Sequence, residues 1–260
     1  MNDYAIVTIA QIPLRIEPSE KSEMATQVLF GDAVQVLDVT GNWIKVHCFF
    51  DQYEGWIDAK TLFYCDEDYI QTYLNKKFSV LTEIFTWAKD KNNQSVLLPG
   101  GCFLPDYSSQ NNEFNIGNRT YFLEKTLKKI EPTGDNIILL ASDYLSCPYL
   151  WGGKTAFGMD CSGLTQVVYK MIGINLNRDA SQQVNHGEIV NFAEEAKPGD
   201  LAFFDNSEGN ITHVGICMGS GKIIHASGKV RIDLLDNHGI YREDKQKYSH
   251  QLRIIKRILP

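Results

Sequence analysis

The chain has 260 residues, 43% of them hydrophobic, and its 25 Lys and Arg against 32 Asp and Glu give a formal net charge of −7. That length fills one large domain or two to three small ones, and the charge leaves no basic stripe to neutralise phosphates, so nucleic acid is excluded as an expected partner. No apolar run reaches the roughly 18 residues of a membrane span, the N-terminus lacks the basic start and unbroken apolar core of a signal peptide, and six cysteines without a CxxC pair are too sparse for a disulfide framework; the expectation is no membrane partner and reduced thiols in a cytoplasmic compartment.

Residues 4–64 read as short β-strands punctuated by Pro, Gly, Asn and Asp: "YAIVTIA", "TQVLFGDAVQVLDVT", "NWIKVHC" and "YEGWID". Val34 and Val36 alternate within "AVQVLDV", and Gly41-Asn42 marks a tight turn. Short, evenly spaced strands predict a small all-β barrel over residues 1–64. From 66 to 87 the spacing becomes helical, with Tyr69, Tyr73, Leu74, Phe78 and Leu81 recurring every three to four residues. Residues 95–130 return to β character in "SVLLPGGCFLPDY" and "NRTYFLEK", around the polar loop "SSQNNEFNIGN". A linker helix and a second, degenerate barrel are therefore expected over residues 65–130.

Residues 131–260 are mixed. Thr133 or Asp135 can cap a helix bearing Ile137, Ile138, Leu140, Ala141, Tyr144 and Leu145. A second helix fits "SGLTQVVYKMIG", where Leu164, Val167, Val168, Met171 and Ile172 share one face and Gly173 ends the run. Three strand-like runs follow "KPGD": "LAFFD", "THVGICMG" and "KIIHASG". Helices first and an antiparallel sheet afterwards predict an α+β domain.

Cys161 immediately precedes that second helix, with Asp160 beside it. A thiol at a helix N-terminus meets unsatisfied N–H groups and the positive end of the dipole, which favour the thiolate and can also hold an oxyanion. The competing reading is a small buried core residue. Two histidines weigh against it. His213 and His225 flank the turn Gly219-Ser220-Gly221, and an odd-numbered hairpin loop centred on Ser220 pairs His225 with Gly215 and His213 with Ser227. Both imidazoles then lie on one face as diagonal neighbours, suited to His213 as base and His225 as the group that fixes its tautomer. A Cys-His-His zinc site is the rival, and it lacks a fourth ligand. Tyr149 and Trp151 in "YLWGGKTAFGMDCSG" read as an aromatic wall beside the thiol, or as ordinary hydrophobic filling.

The segments "PYLWGGKTAFGMDCSGLTQ", "RDASQQ", "KPGDLAFF", "HVGICMG" and "IIHASG", in that order, resemble the NlpC/p60 cysteine peptidases of bacterial cell-wall peptides. The resemblance implies a papain-like α+β catalytic domain, helices packed on an antiparallel sheet. It places nucleophile, base and third polar residue at Cys161, His213 and His225. "LRIEPSEKSEMATQVLFGDAVQVL" and "YEGWID" are similar to the first bacterial SH3-type domain of the γ-D-glutamyl-L-diamino acid endopeptidases, the dipeptidyl-peptidase VI group, in which two such barrels precede the catalytic domain.

That narrower likeness implies cleavage after D-Glu in murein peptides with a free N-terminal L-Ala, releasing L-Ala-γ-D-Glu, with no metal or organic cofactor. Glu17 and Tyr53, with Asp160 and Asp179, would surround the α-ammonium, while Ser162 and the backbone near Ala180 would bind the peptide. Ala180 stands where some relatives carry serine. The first barrel would block the site beyond L-Ala, which fits cytoplasmic recycling of freed peptides by a monomer. A catalytically inactive peptide-binding module and a thiol amidase or acyltransferase remain the other readings.

Overall fold

The structure is a computed structural model and describes residues 3–259. The chain divides into two compact units, Met1–Lys129 and Ile130–Pro260.

In the first unit β1 (Tyr4–Val7), β2 (Gln11–Arg15), β3 (Met24–Leu29), β4 (Ala33–Thr40), β5 (Trp43–Cys48), β6 (Glu54–Asp58) and β7 (Leu62–Cys65) form one antiparallel sheet, in the order β3-β2-β6-β5-β4-β1-β7. Strand alternation sets the core: along β5, Ile44, Val46 and Cys48 are buried and their neighbours turn outward. Two runs that read as single strands are broken. "YAIVTIA" ends as a strand at Val7, and "TQVLFGDAVQVLDVT" is split at Phe30-Gly31-Asp32. Gly31 has φ +80°, and a Cβ there would lie 2.2 Å from the Phe103 carbonyl oxygen, so only glycine makes the turn.

Helix α1 (Glu67–Leu74) is capped by Asp66, whose carboxylate accepts from the Tyr69 N–H at 2.8 Å. It is shorter than the sequence spacing predicts, because Phe78 is taken into a strand. The strands β8 (Phe78–Val80), β9 (Phe85–Asp90), β10 (Ser95–Pro99), β11 (Phe103–Pro105), β12 (Glu113–Ile116) and β13 (Arg119–Leu123) form a four-stranded sheet, β10-β9-β13-β12, and a separate β11-β8 pair. Strand β12 lies within the loop read as polar. Phe30, from the turn after β3, meets Phe114 and Tyr121 edge-on at 5.9 and 5.4 Å between ring centroids, so the two β blocks share one core.

The second unit begins with α2 (Gly134–Ser142), whose cap is Thr133, accepting from the Asn136 N–H. The short ladder of β14 (Lys154–Thr155) and β15 (Gly158–Met159) leads into α3 (Cys161–Met171), and a single turn, α4 (Ala180–Gln183), follows. Then come β16 (Glu188–Val190), β17 (Leu201–Asp205), β18 (Ile211–Gly219), β19 (Lys222–Ser227), β20 (Lys229–Asp236), β21 (Gly239–Arg242) and β22 (Lys247–Arg257). The apolar stripe of α3 predicts one buried face, yet every residue of α3 is buried. It is enclosed because α2 packs on it as well as β18 and β19.

The expected antiparallel sheet closes on itself. Strand β22 pairs with β21 along one edge and β17 along the other, so β17 to β22 close into a six-stranded barrel, with β16 added beside β22. The expected helices packed on an antiparallel sheet are present in part: α3 packs on β18 and β19, while closure uses residues 229–257, outside the predicted elements, and makes that sheet a barrel with the helices outside it. Inward-facing residues divide along the barrel axis. Ala202, Cys217, Ile223, Leu235, Ile240 and Ile255 fill one end as an apolar core. His213, His225, Asp233 and His250 share the same inner face toward the other end.

Candidate active site

Cys161 is the first residue of α3, one position later than the sequence predicts relative to the helix start, and Asp160 is the cap. The Asp160 carboxylate accepts from the Gly163 N–H at 2.7 Å and, across the chain, from the Gly152 N–H at 2.8 Å. Arg178 closes on both its oxygens, at 3.0 and 2.6 Å, and also donates to Ser162 Oγ at 2.8 Å. The approach of "WGG" to the helix start requires glycine: a Cβ on Gly163 would lie 2.2 Å from the Gly153 carbonyl oxygen. Gln183 ties α4 to the same turn, donating to the Ser162 carbonyl at 3.0 Å while accepting from Thr165 Oγ1 at 2.7 Å.

The thiol sits in a less favourable field than helix position alone suggests. Burial pushes Cys161 up to about 11, Asp160 adds to the rise, and hydrogen bonds from the backbone of Val214 and Ser162 only partly offset it. Tyr149 is half-buried and is pushed up to about 12 by burial first, with Cys161 and Asp160 adding to the rise. Trp151 is 60% exposed, and Leu150 and Phe157 on the same stretch are exposed as well.

The histidine register holds for a reason different from the odd-loop assumption. Gly215 pairs with His225 and Cys217 with Ile223, as required, but the strands are linked by only Ser220-Gly221, and a bulge between Cys217 and Gly219 restores the phase. His213 Nε2 lies 2.8 Å from His225 Nδ1, and His225 Nε2 lies 2.9 Å from Asp233 Oδ2. Arg231 donates to Asp233 Oδ1 at 2.7 Å. Burial holds both imidazoles below the ordinary histidine range, His213 well below it with His250 and His225 adding to the effect. Burial alone would raise Asp233, but hydrogen bonds from His225 and Arg231 outweigh it and keep the carboxylate below its usual range.

The NlpC/P60 family pattern matches residues 146–249, which hold Cys161, His213 and His225, and the bacterial dipeptidyl-peptidase SH3 domain pattern matches residues 14–62. A γ-D-glutamyl-L-lysine dipeptidyl-peptidase of Bacillus subtilis is 30% identical over 220 residues, covering 77% of this chain and 71% of that protein. The chain belongs to the NlpC/P60 family. A protein of the same name from Bacillus cereus is 29% identical over 248 residues, 85% of this chain and 74% of its own. An NlpC/P60 family crystal structure, also from Bacillus cereus, superposes with a TM-score of 0.83 at 23% identity over 99% of this chain and 100% of that one, which establishes the shared fold. As an NlpC/P60 cysteine peptidase, the chain is an enzyme whose family carries its chemistry on a thiol.

The remaining predicted site residues fall in different settings. In this NlpC/P60 domain Asp160 is already charge-balanced by Arg178, and Ser162 is bonded into the same pair. Asp179, half-buried, caps the turn that begins at the buried Ala180. In the first unit Glu17 is exposed in the loop after β2, its backbone N–H donating to Ser22 Oγ, and Tyr53 precedes β6. Arg15 of β2 pairs antiparallel with Trp56 of β6, which brings Glu17 and Tyr53 to the same end of those two strands.

Sequence reasoning passed over Arg178, Asp233 and His250. A buried aspartate at a helix cap requires a cation, and "RDASQQ" supplies one. Asp233 is reachable by the hairpin logic applied to the histidines: around Gly228, His225 pairs with Arg231 and Ile223 with Asp233. No local pattern reveals His250, because only barrel closure brings it in.

Proposed function

We propose that this chain is a cysteine endopeptidase that hydrolyses the γ-D-glutamyl bond to the diamino acid in murein peptides beginning with a free L-Ala, releasing L-Ala-γ-D-Glu. The observation that carries the reading is the buried chain of His213, His225 and Asp233 in the domain whose first central-helix residue is Cys161. The substrate class is supported by the relatives named γ-D-glutamyl-L-lysine dipeptidyl-peptidases, matched over most of their length.

In this mechanism His213 takes the Cys161 proton as Sγ attacks the γ-glutamyl carbonyl carbon. The first-turn N–H groups of α3 other than that of Gly163, which Asp160 occupies, are assigned to the developing oxyanion. His213 returns the proton to the leaving amine, the C–N bond breaks, and water hydrolyses the thioester with His213 again as base. Tyr149 shapes the wall beside the thiol, and Trp151 offers an exposed ring for substrate contact. Glu17, Tyr53 and Asp179 are assigned to the α-ammonium on the family likeness. Asp160 serves it less directly, since Arg178 already occupies both carboxylate oxygens and the pair holds Ser162 in place. The backbone near Ala180 is assigned to the peptide.

The test is cleavage of L-Ala-γ-D-Glu-L-Lys and L-Ala-γ-D-Glu-diaminopimelate beside their N-acetylated forms, by wild type and Cys161→Ala, with products read by mass. Dipeptide release from the free peptides alone, abolished in the variant, is the expected result. Equal cleavage of the acetylated forms keeps a peptidase and removes ammonium recognition. No cleavage of any of them returns the inactive binding module or another thiol acyl-transfer chemistry.

A further inference from the structure

His225 uses both ring nitrogens, and their partners determine where its proton is. An ionised carboxylate can only accept, so the 2.9 Å contact to Asp233 Oδ2 puts the proton of neutral His225 on Nε2. Its Nδ1 then carries a lone pair and accepts from His213 Nε2 at 2.8 Å. A neutral imidazole protonated on Nε2 has its free lone pair on Nδ1. Resting on the assignment of Cys161 and His213 to the chemistry, we propose that Asp233 is a positioning residue that, through His225, fixes His213 Nδ1 as the nitrogen that takes the Cys161 proton. Arg231, donating to Asp233 Oδ1 at 2.7 Å, fixes which carboxylate oxygen faces the relay.

The arrangement is built into the barrel. Strands β18, β19 and β20 are consecutive neighbours, and on their inner face His213, His225 and Asp233 stand as successive diagonal neighbours. Arg231 is itself held by Asp244 at 3.2 Å, and Asp244 is gripped by Arg242 through two contacts, so the carboxylate is anchored from behind. During attack the proton leaves Sγ for Nδ1 as the S–C bond forms. The positive charge on His213 is then opposed through His225 by Asp233, which stays ionised. When the C–N bond breaks, Nδ1 gives that proton to the amine nitrogen, and the relay returns to its starting protonation.

Asp233→Asn separates this role from a structural one. Arg231 requires an acceptor, so the Asn carbonyl takes the Oδ1 position and the NH2 group faces His225 Nε2. That nitrogen must then accept, the His225 proton moves to Nδ1, and His213 is forced to carry its proton on Nδ1, where the base should be. The expected result is a fall in kcat of about 100-fold or more with KM within about threefold, together with a comparable slowing of Cys161 alkylation. Adding Arg231→Met frees the amide to turn over, and about tenfold or more of the kcat should return.

The decisive measurement is 15N NMR of the imidazoles: wild type should show His213 protonated on Nε2, and Asp233→Asn should show it on Nδ1. His213 protonated on Nδ1 in wild type overturns the proposal even if no variant folds. So does an Asp233→Asn enzyme that keeps kcat within about threefold. Should the wild type fail to cleave the tripeptides, the functional reading falls, while the tautomer of the wild type and the alkylation rate still decide the relay.

Discussion

The imidazoles of His213 and His250 lie stacked, with 4.1 Å between ring centroids and 19° between ring planes. His250 comes from the strand that closes the barrel, and its ring also faces His225 and Phe204 at 5.8 and 5.9 Å. Burial first, then His250 and His225, hold His213 neutral well below the ordinary range. His250→Phe keeps a ring in the stack and removes the potential like charge. The acid limb of kcat/KM set by His213 should therefore move up toward 6.5 without reaching it, because burial persists. His250→Ala should lose about 1 kcal/mol of stability or more with the stack. Paired pH–rate profiles and urea unfolding check both, and an unmoved limb in the Phe variant would mean that another group sets it.

The three inward histidines also make the second unit acid-sensitive. Each has a folded-state pKa below the ordinary 6.5, with burial the leading cause, and that of His250 falls to about 4. A lowered folded pKa means that the unfolded chain binds the proton first. Stability is then fully present above about pH 6.5 and declines as pH falls toward 4, while Asp233, held below its usual range, stays ionised through most of that window. Urea midpoints at pH 7.5, 5.5 and 4.5 should fall in that order, and His250→Phe should flatten part of the slope. A midpoint constant across the window would show that the three rings take up protons alike in the folded and unfolded chains, at the ordinary histidine value.

What the sequence discloses here follows the range of the interaction. Cys161 is legible from a helix start, and His213 and His225 from one hairpin, both of them local geometry, while joining the thiol to the histidines needs the family resemblance. Asp233 is one hairpin further and obeys the same register, so it was available in principle. The barrel was not, since its closure joins β17 to β22 across some fifty residues of intervening chain and leaves no local period. The helix expected to continue past Leu74 fails on similar grounds. Phe78 fits helical spacing, but pairing of β8 with β11 gives it a strand partner in Pro105. The buried all-round α3 shows the converse limit: apolar periodicity finds the helix, while its polar positions are buried through tertiary partners such as Gln183 on Thr165.

The Cys161 thiol, pushed up to about 11 by burial and by Asp160, rests protonated, and His213, held well below the ordinary histidine range by burial, rests neutral. Iodoacetamide alkylation of Cys161, followed by mass on its own peptide to separate it from the other five cysteines, should keep accelerating from pH 7 to about 10. A preformed thiolate–imidazolium pair would instead give a plateau already reached near pH 5. In Tyr149→Phe the rate should change little if burial is the main cause, as the ring that excludes water remains.

Asp160 and Arg178 form a deeply buried ion pair at the site, at 5% and 1% exposure. Their contribution is best measured by unequal disruption. Arg178→Met leaves a buried carboxylate with the Gly152 and Gly163 N–H groups and the Ser162 hydroxyl but no counter-charge, and this should cost about 3–5 kcal/mol of stability. Asp160→Asn keeps the cap geometry but leaves the guanidinium without its counter-charge, with a loss of the same order. The double variant removes both charges, so its loss in urea unfolding should be well below the sum of the singles. The kcat of the double variant should nevertheless stay low, because Ser162 and the first turn of α3 lose the guanidinium that holds them. If the losses simply add, the pair is not coupled, and the start of α3 is held by its glycine contacts and by Gln183 instead.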